Sequence, residues 1–385
     1  MKILFTSEEV VDICNSKYYS LNLGLHLTKY SYMGAVTCVC YSRKVASSKL
    51  PEIDKKTAEF VFTEKETSPL SKFTIHKHNH ELIMECAKEA DAIVAHVPSW
   101  NSEHSIKIAK ELNKPFIVVV VGCIWDSMWN FDWRGKIIAL NEFLKMRRQV
   151  ASAKYALYVT EFFLQKRYPC KGLTEHASNV CIEKVDESVL AKRLERIASY
   201  TDGQEINIAT AAGVDVRYKG QQYVIRALEI LNKQMGFKYH YYIIGNGDQT
   251  YLRNVAKSCD VEKYVHFTGP LKHGMVTETF DKMDLYIQPS KQEGLPRALI
   301  EAMSRALPAV GTKVAGIPEL LPDDYLVCKG SVKDIANVLS TKMSQDSMKM
   351  QAQNNFIKAS NYTIDIINTR RQKFFDAFRI QNSLI

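Results

Sequence analysis

Two carboxylates, Glu293 and Glu301, with seven residues between them, flank a turn built like a ligand site. They belong to the stretch Tyr286-Ile-Gln-Pro-Ser-Lys-Gln-Glu-Gly-Leu-Pro-Arg-Ala-Leu-Ile-Glu-Ala-Met303. Its mostly apolar start, Asp284 to Ile287, reads as a short strand that Pro289 stops. Gly294 marks a turn, and Pro296 suits the first helical position, where a missing N–H costs nothing. Leu299, Ile300, Met303 and Leu307 then recur at helical spacing. A helix starting at the carboxyl end of a strand points its free N–H groups at an anion. Ser290-Lys-Gln-Glu293 also fits a capping box, but with Pro296 as the first helical residue Glu293 stays in the loop. Glu301 falls about one and a half turns into the helix, beside the small residues Ala298 and Ala302. Alone, Glu301 reads as a solvated helix face; the pair around a Gly-Leu-Pro turn reads as a site.

A second group of residues supplies cations. The strand Ile206–Ala211 runs into Ala212-Gly213-Val-Asp-Val-Arg217-Tyr-Lys219-Gly220, and a helix is expected over Tyr223–Met235. A Gly turn feeding a helix, with Arg217 and Lys219 beside it, is a phosphate site in outline. The strand His240–Ile244 ends at Gly245-Asn-Gly247, and the strand Val265–Gly269 leads to Pro270-Leu271-Lys272.

The residues Glu293-Gly-Leu-Pro-Arg-Ala-Leu-Ile-Glu301-Ala-Met resemble the E-x7-E motif of the retaining, nucleotide-sugar-dependent glycosyltransferases of family four. The following Leu307-Pro-Ala-Val-Gly-Thr-Lys-Val-Ala-Gly316-Ile-Pro-Glu319 is similar to that family's continuation into a G-[IV]-P-E turn. The resemblance is specific over about residues 205–330 and general before them. It implies an α/β chain with the GT-B fold: two Rossmann-like domains facing across a cleft, and a C-terminal helix crossing back to the first. Its domains would be an acceptor domain over 1–200, a nucleotide-sugar donor domain over 201–362 and the crossing helix over 363–385.

The resemblance also implies roles. Glu293 would hold sugar hydroxyls near the anomeric centre, and Glu301 would accept from the ribose hydroxyls. Lys219 matches the family's phosphate-binding Lys; the Arg position holds Val214, with Arg217 three residues on in its stead. The expected donor-binding set is Gly213, Arg217, Lys219, Gly245, Leu271, Gly294, Leu295, Pro296, Arg297 and Glu301, with Glu293 and Asp126 as the catalytic pair. The activity implied is a hexosyltransferase retaining the anomeric configuration, with a nucleotide-diphosphate sugar, UDP first, as donor. The leaving phosphate would be stabilised by N–H groups and cations, and no D-x-D motif calls for a metal, so no metal and no other cofactor is expected. The acceptor implied is a glycan or lipid-linked oligosaccharide in cell-surface polysaccharide assembly, of the lipopolysaccharide or capsule kind. Two other readings stay open. One is a non-catalytic GT-B scaffold or partner subunit that binds a sugar nucleotide, suggested by Val214 and by the missing Gly-rich turn after the first strand. The other is a nucleotide-sugar epimerase on the same fold.

Composition bounds these readings. The 385 residues suffice for two domains, and 46% apolar with 24% charged residues is an ordinary globular balance. A net charge of +9 suits anionic substrates or an anionic membrane face and is too small to imply nucleic acid. Nine scattered cysteines without C-x-x-C read as a reduced cytoplasmic chain. No signal peptide is read at the N-terminus, and the longest apolar run, Phe116 to Ile124, is too short to span a bilayer, so membrane contact would be peripheral, at the cytosolic face of the inner membrane.

The remaining elements must position the site. A strand over Lys2–Phe5, a polar loop over 6–18, a helix over Tyr19–Tyr32 with Leu21, Leu25 and Leu27 inward, and a strand over Ala35–Tyr41 are expected. Lys44–Thr67 reads as charge-rich loop, and His76-Lys-His-Asn-His80 as surface strand or loop rather than metal site. A regular α/β rhythm follows: a helix to Glu89, then strands Ala92–His96 and Phe116–Val121 around a helix over Ser102–Leu112. The last strand opens into Gly122–Trp133, a loop with three of the four tryptophans, and Asp126 stands in it. Arg134–Lys154 carries six cations against Glu142 alone; it reads as a solvated face or as a surface for anionic lipid or an acceptor diphosphate. A strand at Tyr155–Thr160, a charged helix over Asp186–Tyr200 and a linker at Thr201–Glu205 complete the first domain.

Overall fold

The computed structural model describes residues 1–65, 72–184, 186–201 and 203–384. The chain divides into two compact units, Met1–Trp125 with Ile137–Asn179 and Asn368–Ile385, and Asp126–Lys136 with Val180–Ile367.

The first unit is built on a sheet of nine strands among the described residues: β1 (Lys2–Cys14), β2 (Lys17–Tyr19), β3 (Ala35–Lys44), β4 (Glu52–Ile53), β5 (Glu59–Thr63), β6 (Ala92–Val97), β7 (Phe116–Val120), β8 (Tyr155–Tyr158) and β9 (Leu173–His176). β1 pairs in parallel with β3 and β6, and β7, β8 and β9 continue outward from β6. Ile93, Val94, Val118 and Val120 are fully buried, as strands covered on both faces require.

Residues 6–18 do not form the expected loop. β1 continues to Cys14 through an irregularity between Thr6 and Val10, then turns back antiparallel as β2. Asp12 makes this possible: it is buried, and its carboxylate accepts from Arg43 at 2.7 and 2.9 Å and from Ser48 at 3.1 Å. The expected helix over Tyr19–Tyr32 shrinks to Leu23–Thr28 and a turn at Ser31–Met33. Leu27 is inward, but Leu21 and Leu25 are exposed. His76 to His80 lie within the helix Lys72–Glu89, not on a strand, and positions 66 and 67 of the expected loop lie outside the described residues. Gly122–Trp133 is also largely helical, over Ile124–Phe131.

The second unit has a six-stranded, all-parallel sheet: β10 (Ile206–Ala211), β11 (Tyr239–Ile244), β12 (Val265–Gly269), β13 (Leu285–Gln288), β14 (Ala309–Thr312) and β15 (Leu326–Val327), in the order β12-β11-β10-β13-β14-β15. Ile208, Tyr241, Ile243, Leu285, Ile287 and Val310 form its core with Val224, Ile225 and Leu228 of the helix Gln221–Leu228.

The boundary expected at residue 200 lies further back, after Asn179. The helix Ser188–Ala198 is held by the second unit, since Arg196 donates to the buried Asp284 at 2.7 and 2.9 Å. Arg193, buried itself, donates to the carbonyls of Met283 and Phe280. Of the expected linker, position 202 lies outside the described residues. The terminal helix Ile364–Gln381 belongs from Asn368 onward to the first unit. There Phe375 meets Tyr30 at 5.5 Å and Phe378 meets Tyr155 at 4.9 Å, ring centre to ring centre.

Candidate active site

The strand order of the second unit fixes where a ligand can bind. From β10 the chain moves outward to β11 and β12, then returns to place β13 on the other side of β10. The loops after β10 and β13 therefore diverge at a switch point, the usual ligand crevice of an open parallel sheet. One is Ala212–Gly220, the other Pro289–Pro296.

The two loops meet through Glu293. Its Oε1 accepts from Lys219 Nζ at 2.7 Å, from Ser290 Oγ at 2.7 Å and from Gln288 Nε2 at 3.0 Å. The Glu293 side chain is only 9% exposed and that of Lys219 23%, so the pair is shielded from bulk water. Gln288 is itself oriented, because the Tyr286 hydroxyl donates to its Oε1 at 2.8 Å. Burial pushes the Tyr286 phenol well above its ordinary value; the Ala211 N–H partly offsets this, and the Glu293 and Glu301 carboxylates add to it. A phenol that keeps its proton is a dependable donor, and the chain Tyr286–Gln288–Glu293 has one sense.

Backbone contacts bring Lys219 within reach. Gly220 sits at φ 82°, and a Cβ there would fall 2.0 Å from the carbonyl oxygen of Pro289. Only glycine lets the two loops approach this closely. Gly245 is similarly placed, since its Cβ would fall 2.0 Å from the carbonyl oxygen of Ala212. Val214 N–H donates to Asn246 at 3.0 Å and Gly245 N–H to Gly269 at 3.1 Å, so the loops after β10, β11 and β12 form one surface.

Most of the expected donor-binding residues lie on these loops. Gly213, Lys219, Gly245 and Leu271 follow β10, β11 and β12, each half-buried. Gly294, Leu295 and Pro296 form the turn after β13, and Gly316 N–H donates to the Gly294 carbonyl at 2.9 Å. Pro296 is the cap preceding the helix Arg297–Ser304, not its first residue, and its own side chain makes no cap hydrogen bond. Arg297 and Glu301 stand half-buried on the same helix. Arg217 is exposed, with its guanidinium 4.3 Å from the Tyr251 ring centre, a cation–π contact. Val214 is 2% exposed and packs in the core, which leaves Arg217 and Lys219 as the cations of this loop.

Asp126 lies in the first turn of the helix Ile124–Phe131, where its carbonyl accepts from Asn130 at 2.8 Å. The neighbouring Ser127 Oγ accepts from Gln292 Nε2 at 2.7 Å, and Asn130 reaches the Lys291 carbonyl at 3.4 Å. This helix therefore braces the Glu293 turn from the second unit.

Sequence reasoning missed the residues that orient Glu293. Tyr286, Gln288 and Ser290 alternate along a buried strand and its exit, which is a detectable signal: polar groups at strand spacing where apolar ones are expected. Ser290, which fits a capping box in the sequence, bonds the Glu293 side chain instead of a helix N–H.

Residues 193–360 match the family described as Glycosyl transferases group 1. Protein CapJ of Staphylococcus aureus is 26% identical over 382 residues, covering 97% of this chain and 94% of the relative. The amylovoran biosynthesis glycosyltransferase AmsK of Erwinia amylovora is 34% identical over 131 residues, 31% of this chain and 32% of its own. Among solved structures, the sucrose-phosphate synthase of Thermosynechococcus elongatus superposes with a TM-score of 0.73 over 99% of both chains, at 12% identity. HepE of Anabaena, in complex with UDP and glucose, gives 0.65 over 98% of this chain and 99% of its own, at 18% identity. Residues 193–360 are thus similar to the group 1 glycosyltransferases, and the chain along nearly its whole length has the GT-B fold that these solved structures share.

Proposed function

We propose that the chain transfers a sugar from a nucleotide-diphosphate sugar, UDP first, with retention and without a metal. The acceptor in this reading is a glycan or lipid-linked oligosaccharide of cell-surface polysaccharide assembly. The observation that carries it is the Glu293 carboxylate, fixed by three donors at the switch point with Lys219 in contact. In transfer the bond from the anomeric carbon to the diphosphate oxygen breaks, a bond to an acceptor hydroxyl oxygen forms on the same face, and the hydroxyl proton passes to the leaving diphosphate. Charge then grows on the leaving diphosphate. Lys219, Arg217 and the positive amino end of the helix Arg297–Ser304 would receive it, which supports a reaction that needs no metal. Glu293 supports the positive character developing at the sugar ring, and Glu301 and Leu271 are assigned to the nucleoside.

UDP is favoured because HepE, similar in fold at a TM-score of 0.66, is known in complex with UDP-glucose. A polysaccharide acceptor is favoured by relatives named for amylovoran and colanic acid biosynthesis. An acceptor carried on lipid would place the protein peripherally at the cytosolic face of the inner membrane.

The test is a thermal-shift series with nucleoside diphosphates and their sugars, with and without chelator, followed by turnover of Glu293→Gln. The expected result is stabilisation by one nucleotide, unchanged by chelator, and a fall in kcat of about 10²–10³ in the variant. Transfer that stops in chelator, or a Glu293→Gln enzyme with wild-type turnover, would overturn the assignment. The anomeric configuration of the product, read by NMR coupling, decides retention.

A further inference from the structure

The helix Trp133–Ala151 carries two apolar stripes, and only one of them is covered. Ala139, Met146 and Val150 are buried, and Phe143 between them meets Tyr168 at 5.4 Å. Trp133, Ile137, Leu140 and Leu144 repeat with the same spacing about a third of a turn away. They are 67%, 70%, 57% and 39% exposed. Four large apolar side chains in one row facing water are not the scattered exposure of ordinary surfaces.

The charges around this row have one sign. Lys136 and Arg147 flank it on one side and Arg134 and Arg148 on the other, all exposed. Arg134 lies 5.6 Å from the Trp133 ring centre. The acids nearby are committed elsewhere: Asp132 accepts from the Gly135 N–H at 2.9 Å, and Glu142 faces Lys145 at 3.7 Å. Lys145 in turn binds Glu103 at 2.6 Å.

A convex row of apolar side chains offers a partner no groove to fill, and it suits a deformable surface into which it can sink. Flanking cations with long stems then reach the head groups while the row is buried. We propose that the outward face of the helix Trp133–Ala151 lies in the surface of an anionic lipid bilayer. No helix among the described residues is long and apolar enough to cross a membrane, so the contact is one of lying on, not spanning. At the amino end of this helix, Trp133 and Lys136 line a cavity of about 350 Å³ with Trp129, Phe131, Lys291 and Lys329. Lys291 of this cavity is two residues from Glu293. This deepens the lipid-linked acceptor reading, while the docking itself stands on the helix alone.

The experiment is flotation of the full-length protein with vesicles of phosphatidylcholine alone or mixed with phosphatidylglycerol. Wild-type protein is expected to bind the mixed vesicles about tenfold more strongly or better, with binding weakened by salt. Ile137→Glu combined with Leu140→Glu is expected to lose at least about tenfold, and Arg147→Gln with Arg148→Gln to lose most of the preference for phosphatidylglycerol. All these positions are exposed, and equal melting temperatures verify the fold. Wild-type protein that stays unbound, or a Glu variant that floats like wild type, overturns the proposal. A wild-type dimer that the Glu variant splits, without vesicle binding, assigns the face to a second copy instead. If UDP shifts the melting of neither protein while flotation behaves as expected, the donor assignment falls and the docking stands.

Discussion

Each sheet ends, at a central strand, in a buried polar network, and the two networks are built on opposite terms. At the end of β13, Glu293 gathers a cation and two neutral donors onto one oxygen. Near the end of β6, His96 and Tyr30 share one hydrogen bond of 2.7 Å, with His96 5% and Tyr30 2% exposed. The first network keeps a charge partner at the rim of a crevice, where a ligand can replace it. The second excludes charge, because burial raises the Tyr30 phenol and lowers the His96 imidazole well below its usual range. Charge retained at a rim is a mark of a working site; charge removed by burial is a mark of a core.

The comparison breaks most sharply at Gly220, which belongs to the charged network by backbone alone. Gly220→Ala forces a left-handed alanine and drives its Cβ into the Pro289 carbonyl. The expected cost is about 3 kcal/mol of stability in the second unit, read by denaturant unfolding, together with loss of donor binding. An alanine variant as stable as wild type would show that the two loops do not need this approach.

Lys219→Ala removes the cation and leaves the loops in place. The expected effect is a 10- to 100-fold fall in kcat/KM for the donor, about 1.4–2.7 kcal/mol, with a smaller change in melting. Ser290→Ala, which removes one of two neutral donors to the same oxygen, is expected to cost about tenfold in kcat with little change in KM, and Ser290→Thr should recover most of it. Equal losses of kcat from Lys219→Ala and Ser290→Ala would mean that the cation acts only through Glu293 and not on the donor.

These networks also differ in how far the sequence discloses them. The strands of the second unit are short apolar runs bounded by Gly and Pro, and Ile206–Ala211 and Val265–Gly269 are found at the bounds expected for them. The Glu293 turn was equally legible, because Gly294, Pro296 and the helical repeat after them act within a few residues. Residues 7–14 were not, because Ser7, Glu8, Glu9 and Asp12 carry no apolar alternation. What holds them extended is Arg43, thirty-one positions from Asp12. Gly122–Trp133 reads as a loop in the sequence, although Trp125, Met128 and Trp129 have helical spacing. Local chemistry is written locally, while long-range pairing and the orientation of polar groups on a strand emerge only with the fold.

The neutral network gives the smallest and most specific prediction, a dependence on pH. Burial is the main cause of the low His96 value, and the neighbouring charges of His26, Lys29 and Arg371 act in the same direction. Tyr30 and His96 Nε2 share one hydrogen bond, and a proton arriving on that nitrogen would leave the hydroxyl only the accepting role. A group whose folded value is depressed contributes stability that is complete above its unfolded value, about 6.5, and is lost as pH falls toward the folded value. At pH 5.5 the unfolded chain takes a proton that the folded chain refuses, so this residue costs roughly 1 kcal/mol of stability relative to pH 7.5. His96→Gln offers Tyr30 an acceptor that does not titrate. The difference in unfolding free energy between wild type and this variant should therefore shrink by about that amount from pH 7.5 to 5.5. His104, stacked on Trp100 at 3.8 Å and pushed down to about 4 by burial, works in the same direction in both proteins and cancels in the difference. A wild-type protein that gains on the variant in acid would mean that His96 is charged in the fold, and the contrast with Glu293 would fail.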